Sequence, residues 1–367
     1  EIVRICNEHH IKSYLTVNTV IYDEDIPLLH RIIDAAKEVG LSAIIASDVA
    51  AMTYAREIGV EVHLSTQLNI SNTEALRFYA RFADVVVLAR ELNMEQVARI
   101  HEAILRDRIV GPGGEPVRIE MFCHGALCMA VSGKCYLSLH EMNASANRGA
   151  CMQICRRSYE VKDKETGNEL EVDNAYIMSP KDLKTIHFMN KMMDAGVRVF
   201  KLEGRARGPE YVRLVTECYK EAVKAYCEGT FDEEKVAVWD ERLRRVFNRG
   251  FWDGYYLGQR LGEWSSKYGS GATRKKVYVA RGIKYFSGIG VAEFEMESGS
   301  LRVGDEILVT GPTTGAVMQT VDEIRVDLKP VEETVKGERF SIKMSEKIRP
   351  SDRLYKMEKV QIEKELR

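Results

Sequence analysis

Short apolar runs alternate with amphipathic segments along the first 125 residues of the chain. The apolar runs lie at 14–17, 43–45, 61–64, 84–88 and 119–122. Between them, segments such as IPLLHRIIDAAKEVG and MEQVARIHEAIL repeat their apolar residues every three or four positions, which is the period of a helix. A sixth strand-like run at 197–202 follows a helix that the Ser179-Pro180 pair is expected to begin. Repeated strand–helix units predict parallel strands joined by crossover helices.

Polar residues follow these apolar runs where the predicted strands end. They are Asn18, Asp48, Gln67, Arg90, His124, Glu203 and Arg205. A TIM barrel builds its active site from the carboxyl ends of many strands, whereas a doubly wound sheet concentrates ligand contacts at one switch point. Since no G-x-G-x-x-G turn follows an early strand, we predict an α/β fold with a TIM-barrel-like parallel domain that lacks its first two strand–helix units. For any single residue the alternative is that strand ends are polar because loops are exposed.

The character of the sequence changes twice after this parallel region. A helical, aromatic stretch comes first, and short alternating strands punctuated by Gly and Asp then predict a small antiparallel β-barrel. We therefore expect a TIM-barrel-like catalytic domain at 1–208 with a cysteine-rich insertion at 123–160, a helical extension and linker at 209–270, and a β-barrel domain at 271–367.

Composition narrows the class of protein. The 367 residues include 53 Lys and Arg against 55 Asp and Glu, which excludes a polycationic nucleic-acid coat and an acidic disordered chain. No apolar run approaches the ~20 residues of a membrane span, so we expect no membrane partner. The first residues do not form a signal peptide, which predicts a cytoplasmic location. In that reducing compartment, clustered cysteines indicate metal binding or catalysis more often than disulfides.

Five of the eight cysteines lie in one short segment, and four of them have a spacing that can bind metal. Cys128, Cys135, Cys151 and Cys155 follow the pattern C-x6-C-x15-C-x3-C. Four thiolates can close a tetrahedral zinc site or hold a [4Fe–4S] cluster. The loose first pair fits a bulkier cluster better than structural zinc, but the spacing alone leaves zinc, an iron–sulfur cluster and unligated thiols open.

The same segment resembles the signature of the peptidase U32 family. The pattern E-x-F-x-H-G-A-L-C followed by S-G-x-C-x-L-S runs from Glu120 to Ser138, and R-G-x-C-x3-C runs from Arg148 to Cys155. The blocks STQLNI, VLARELN, SPKDL, KLEGR and VFNRGF and the C-terminal β-domain are also similar to the family, so the resemblance covers nearly the whole chain. Family members usually begin with two more strand–helix units.

This resemblance implies an RNA-modifying enzyme. Its substrate would be a tRNA wobble uridine or an rRNA pyrimidine, which it would hydroxylate with prephenate as a dicarboxylate co-substrate and a [4Fe–4S] cluster. Zinc is the alternative metal. By matching positions, the ligand role falls to Cys128, Cys135, Cys151 and Cys155. The alternatives are a collagenase-like peptidase of the U32 type and a non-catalytic, zinc-bearing protein that docks a partner.

The peptidase alternative lacks the usual hydrolase signatures. The chain contains neither H-E-x-x-H nor G-x-S-x-G. Cys123 and His124 are neighbours on a predicted strand, so their side chains point to opposite faces and cannot readily form a nucleophile–base pair.

The strand-end residues supply the candidate site. We expect catalytic roles for His124, Glu203, Asp48 and Gln67. His124 titrates near neutrality, which suits acid–base catalysis, although a structural hydrogen-bonded role is its alternative. Substrate binding is expected from Arg90, Arg205, Arg148 and Asn18, because guanidinium groups bind carboxylates bidentately. Glu203 and Arg205 alternatively pair with each other.

Two basic clusters are candidates for RNA contact even though the net charge is close to zero. They consist of Arg242, Arg244, Arg245 and Arg249, and of Arg274, Lys275 and Lys276. Phosphate recognition needs such points of positive charge. The alternative is that these side chains pair with acidic neighbours on solvated faces.

Overall fold

The computed structural model describes residues 1–160, 178–266 and 269–360. The chain forms two compact units, Glu1–Glu203 with Arg249–Gly269, and Gly204–Asn248 with Ser270–Arg367. Residues 267 and 268, within the predicted linker, lie outside the described residues.

A mostly parallel sheet is the framework of the first unit. Its strands are β1 (Tyr14–Val17), β2 (Ala43–Ala46), β3 (Val62–Leu64), β4 (Val85–Val87), β5 (Arg118–Gly125), β6 (Asp182–Lys184), β7 (Val197–Leu202) and β8 (Phe251–Trp252). Their order is β1-β2-β3-β4-β5-β6-β8, and β7 also pairs with β5. All pairs are parallel except β5 with β6. Among the described residues β1 and β8 do not pair with each other, so the predicted α/β class is confirmed whereas closure into a TIM barrel is not shown.

The central strands of this sheet are apolar because both of their faces are covered. Every residue of β3 and of β4 is buried. Parallel strands that are covered on both faces have near-continuous apolar sequences, as the VVV of β4 does.

The helices of the first unit mostly follow the predicted periodicity. They are α1 (Ile2–Glu8), α2 (Ile26–Glu38), α3 (Val49–Glu57), α4 (Thr73–Ala80), α5 (Met94–Arg106), α6 (Leu137–Met142) and α7 (Met189–Asp194). Asn93 caps α5 through a reciprocal bond pair with Gln96, which satisfies amides at the helix start. The buried residues of α5 recur at three- and four-residue steps and form one apolar face.

Two predicted helical stretches are wrong. The segment after Ser179-Pro180 first forms β6, because its backbone pairs with both β5 and β8, and α7 begins only at Met189. The helical extension predicted to begin at residue 209 also continues only as far as Arg244. Gly250 and Gly254 have φ values of 78° and 63°, in the left-handed region that interrupts a helix.

The second unit combines two helices with antiparallel strands. The helices are α8 (Pro209–Cys227) and α9 (Glu233–Arg244). The strands are β9 (Arg274–Phe286), β10 (Val291–Met296), β11 (Ser300–Arg302), β12 (Glu306–Gly311), β13 (Gly315–Thr320), β14 (Ile324–Val326), β15 (Lys329–Val331), β16 (Glu333–Val335), β17 (Arg339–Lys343) and β18 (Arg353–Lys359). Their main sheet has the order β13-β12-β18-β9-β10-β17-β14-β15 around a core with stacked Phe294 and Phe340 rings, which confirms the predicted antiparallel C-terminal strands. Of the helices within the described ranges, none is long and apolar enough to cross a membrane.

Candidate functional site

The cysteine-rich segment, residues 126–157, lies against the carboxyl ends of the parallel strands. Asn69, just beyond β3, donates a hydrogen bond from Nδ2 to the carbonyl oxygen of Ser132 at 3.0 Å. Gly133 packs so closely on the Gln67 side chain that an added Cβ would lie 2.9 Å from it. Beyond β1, the amide of Val20 donates to the carbonyl of Asn147 at 3.0 Å. These bonds place the segment at the edge where α/β enzymes bind their substrates.

Arg148 anchors this segment to the loop after β1. Its guanidinium donates to both carboxylate oxygens of Asp25, at 2.7 and 3.3 Å, and to the carbonyl of Val20 at 3.1 Å. The Arg148 hydrogen bond lowers the pKa of the Asp25 carboxyl. Because the guanidinium is already paired, the structure favours an anchoring role over the substrate-binding role predicted for Arg148.

Arg156 holds the other end of the segment. It donates from Nη2 to the carbonyl of Leu127 at 2.6 Å, and from Nη1 to the carbonyl of Pro180 at 2.7 Å and to Ser179 Oγ at 3.1 Å. Burial lowers the pKa of Arg156, and the nearby Arg249 charge lowers it further. Asp182 offsets this positive charge. It is almost completely buried and pairs with Arg249 at 3.4 Å.

The four predicted ligand thiols all lie in the cysteine-rich segment. All four are free, with Cys128 and Cys151 exposed and Cys135 and Cys155 half-buried. Burial raises the pKa of Cys155, Arg156 lowers it, and the charges of the other three thiols each raise it.

These thiols fit a metal group by chemistry more than by their present positions. Soft thiolate donors suit zinc or an iron–sulfur cluster. In the described ranges, however, no three His, Cys, Asp or Glu side chains lie close enough together to share a metal ion. The donor chemistry of the four thiols therefore fits a metal group, whereas the described residues do not form a closed coordination sphere.

His124 and Glu203 lie side by side at the ends of β5 and β7. The amide of Glu203 donates to the carbonyl of His124 at 2.9 Å. His124 is almost completely buried, and its ring centroid lies 5.6 Å from that of Phe251. The two predicted acid–base residues are thus brought together, with His124 enclosed within the first unit.

Asn18 and Gln67 belong to a second polar group at the ends of β1, β2 and β3. Asn18 Nδ2 donates to Ser65 Oγ at 3.0 Å. Ser47 Oγ donates to the carbonyl of Asn18 at 2.9 Å and also lies 3.2 Å from Gln67 Oε1. Asp48 instead caps α3 by accepting from the amide of Ala50 at 2.9 Å, a structural role that by itself accounts for an aspartate there.

Arg90 has a guanidinium with unused hydrogen-bonding capacity. Its Cζ lies 3.8 Å above the Phe122 ring, and its Nη1 donates to the carbonyl of Ala126 at 3.3 Å. The buried Nε has no hydrogen-bond partner among the described residues. Arg205 is exposed and belongs to the second unit.

Sequence reasoning missed an ion pair beside Phe122 between the buried Glu120 and the half-buried Lys201. Lys201 Nζ lies 2.7 Å from Glu120 Oε1 and 5.4 Å from the centroid of the Phe122 ring. The alternation of side chains along β5, which puts Glu120 and Phe122 on one face, is the signal that points to this pair.

The structure provides no support for a Cys123–His124 nucleophile. Cys123 is fully buried, and burial raises the pKa of its thiol well above the ordinary value. A reactive cysteine needs the opposite shift, because the thiolate is the nucleophile.

The predicted basic clusters are largely neutralised, as their alternative interpretation proposed. Acidic partners lie within 4.0 Å of Arg242, Arg245, Arg249, Arg274, Lys275 and Lys276. Arg249 is also mostly buried rather than displayed to a ligand. These residues therefore do not form the open basic surface expected from the sequence.

Comparison with known proteins identifies the family. The sequence profile of peptidase family U32 matches residues 1–266. The chain belongs to peptidase family U32. A U32 relative named collagenase, from Porphyromonas gingivalis, is 73% identical over 359 residues, which cover 98% of this chain and 87% of that protein.

Other relatives of this U32 protein carry the names of RNA-modifying proteins. The tRNA hydroxylation protein P1 of Bacillus subtilis is 33% identical, over 72% of this chain and 63% of that protein. The 23S rRNA 5-hydroxycytidine C2501 synthase of Escherichia coli is 32% identical, over 72% of this chain and 39% of that protein. The relatives of this chain therefore carry two kinds of name, collagenase on the one hand and tRNA or rRNA hydroxylation on the other.

Proposed function

We propose that this U32 protein is an RNA-modifying enzyme that hydroxylates a pyrimidine in a tRNA or an rRNA. The relatives named for tRNA hydroxylation and for 5-hydroxycytidine synthesis support RNA as the substrate class. The observation that carries the proposal is the set of four free thiols in a segment packed on the carboxyl ends of β1 and β3. Peptide hydrolysis gives no reason for such a set.

The proposed cofactor is a [4Fe–4S] cluster on Cys128, Cys135, Cys151 and Cys155, with zinc as the alternative. When bound, such a cluster supplies one-electron chemistry that no amino-acid side chain of the site offers. Burial raises the pKa of the Cys155 thiol, and the positive charge of the adjacent Arg156 opposes that rise and favours the thiolate.

The remaining site residues are proposed to bind and protonate the substrates. Arg90 has a free Nε beside Phe122 and would bind a carboxylate of a small dicarboxylate such as prephenate. His124 and Glu203, adjacent at the ends of β5 and β7, would hold and move a proton at the pyrimidine. Asn18 and Gln67 would orient the base through their amide groups.

Nucleoside mass spectrometry of cellular RNA tests this function. We expect a hydroxylated pyrimidine to disappear when the gene is deleted and to return with the wild-type gene. It should also return with Cys227→Ser, a control at an exposed cysteine outside the segment, and not with Cys151→Ser. Unchanged nucleosides after deletion would contradict the proposal.

A collagenase activity is the second candidate, and the 73% identity to the P. gingivalis protein favours it. Purified chain incubated with native collagen tests it directly. Cleavage that remains through purification and is lost in His124→Ala would support a peptidase. Absence of cleavage, together with the RNA phenotype, would exclude that activity for this chain.

A further inference from the structure

One arginine connects the backbone beside two thiols that are far apart in the sequence. Arg156 directly follows Cys155, and its Nη2 donates to the carbonyl of Leu127, the residue directly before Cys128, at 2.6 Å. A single hydrogen bond therefore joins the neighbours in sequence of the first and last cysteines of the C-x6-C-x15-C-x3-C pattern.

The other side of the same guanidinium fixes this connection to the sheet. Nη1 donates to the carbonyl of Pro180 at 2.7 Å and to Ser179 Oγ at 3.1 Å, immediately before β6. Leu127, Ser179 and Pro180 are all buried, so solvent does not compete with these bonds. Because the guanidinium is planar, bonds to its two nitrogens set the direction of each partner relative to the other.

The position of Arg156 is itself constrained by neighbouring charges. Arg249 repels it, and Asp182 attracts it while pairing with Arg249 at 3.4 Å. The adjacent Arg157 is exposed, which makes it a matched control with the same side chain one residue away.

We propose that Arg156 is a positioning residue that fixes Cys128 and Cys155 relative to each other before a metal binds. The inference rests on the proposed function only in treating these thiols as metal ligands. A lysine at this position keeps the charge but cannot bond in both directions through a planar group, so charge alone does not replace it.

Zinc affinity of the full-length apoprotein, measured under anaerobic conditions against a chromophoric chelator, tests this role. We expect Arg156→Gln and Arg156→Lys to weaken zinc binding at least about tenfold, as loss of a residue that orients metal ligands does. Arg157→Gln should change it little. Cobalt(II) absorption provides a second readout, because its visible bands report the number and arrangement of thiolate ligands. These bands should shift in the Arg156 variants alone.

A milder variant covers the case in which Arg156 substitutions prevent folding. Ser179→Ala removes one of the three bonds and should weaken zinc binding by a smaller factor, with an unchanged circular dichroism spectrum. The proposal would be overturned if Arg156→Gln had the same zinc affinity and cobalt spectrum as Arg157→Gln. If Arg156→Gln does not fold, the same comparison is made between Ser179→Ala and Arg157→Gln. Zinc affinity unaffected by Cys128→Ser or Cys155→Ser in the wild-type background would also overturn it.

Reconstitution with iron and sulfide separates this inference from the proposed function. If the wild-type chain binds zinc as expected but takes up no iron and sulfide, the iron–sulfur hydroxylase is refuted and the positioning role stands. If the cluster forms equally well, with the same reduction potential, in wild type and Arg156→Gln, the positioning role is refuted and the hydroxylase stands.

Discussion

Removing the Asp182 carboxylate should destabilise the first unit substantially. Asp182 is 1% exposed, and its carboxylate accepts from the backbone amide of Arg249 at 3.2 Å and from Arg249 Nη1 at 3.4 Å. Asp182→Ala leaves Arg249, whose side chain is 12% exposed, without that carboxylate and close to the charge of Arg156. Breaking a buried ion pair from one side typically costs 3–5 kcal/mol, and the long Arg249 contact places this case near the lower end, at about 3 kcal/mol.

Guanidinium unfolding of the full-length chain, monitored by tryptophan fluorescence, measures this loss. Trp252 in β8 is a local reporter, because it pairs with Leu183 next to Asp182. Asp182→Asn should lower the free energy of unfolding by less, about 1–2 kcal/mol, because the side-chain oxygen of the asparagine still accepts a hydrogen bond from the backbone N–H of Arg249. The exposed Glu95–Arg99 pair provides the control, and Glu95→Ala should cost less than about 0.5 kcal/mol.

A double-mutant cycle isolates the interaction between the two charges. Asp182→Ala combined with Arg249→Ala should lower the free energy of unfolding by clearly less than the sum of the two single variants, because the two side chains interact directly. This description of the buried charges would be refuted if Asp182→Ala lowered the free energy of unfolding no more than Glu95→Ala does. It would also be refuted if the effects of the two single variants were strictly additive.

Three further predictions concern reactivity, pH dependence and the anchoring of the cysteine-rich segment. Iodoacetamide at pH 8 should alkylate exposed Cys128 rapidly and buried Cys123 only after unfolding, as peptide mass spectrometry would show; equal rates would contradict the raised pKa of Cys123. Burial lowers the pKa of His63 below 6.5, so the unfolded chain binds more protons and the free energy of unfolding should fall as the pH drops through 6.5. His63→Gln should remove that dependence, and a parallel pH profile in wild type and variant would refute it. Gly133→Ala should speed proteolysis within the cysteine-rich segment, because Gly133 has a φ of 73° and no room beside Gln67, and an unchanged cleavage rate would argue against that packing.

The sequence predicted the regular parts of the parallel sheet well because its signals are local. β1 and β7 have the predicted bounds, since each is a β-branched or aromatic run bordered by polar residues. β6 was missed because its three residues carry no strand pattern of their own, and pairing on both sides is what makes them a strand. Ser179-Pro180 resembles a helix start, and here tertiary pairing overrides that local preference.

The candidate metal ligands could be selected from the sequence, but the contacts that hold their segment in place could not. Cysteine spacing identifies the thiols without any structure. No spacing rule, however, predicts that Arg148 pairs with Asp25 or that Arg156 bonds to Leu127, because each of these contacts joins positions distant in the sequence. Arg148 and Arg156 look equivalent in the sequence, and the structure shows that each anchors a different part of the cysteine-rich segment.

Iron and sulfide content after anaerobic reconstitution tests most directly whether the four thiols hold one metal group. We expect about four irons per wild-type chain with broad absorption near 400 nm, unchanged in Cys227→Ser and lost in Cys151→Ser. Iron that fails to bind to the wild-type chain, or that binds equally well to Cys151→Ser, would contradict it.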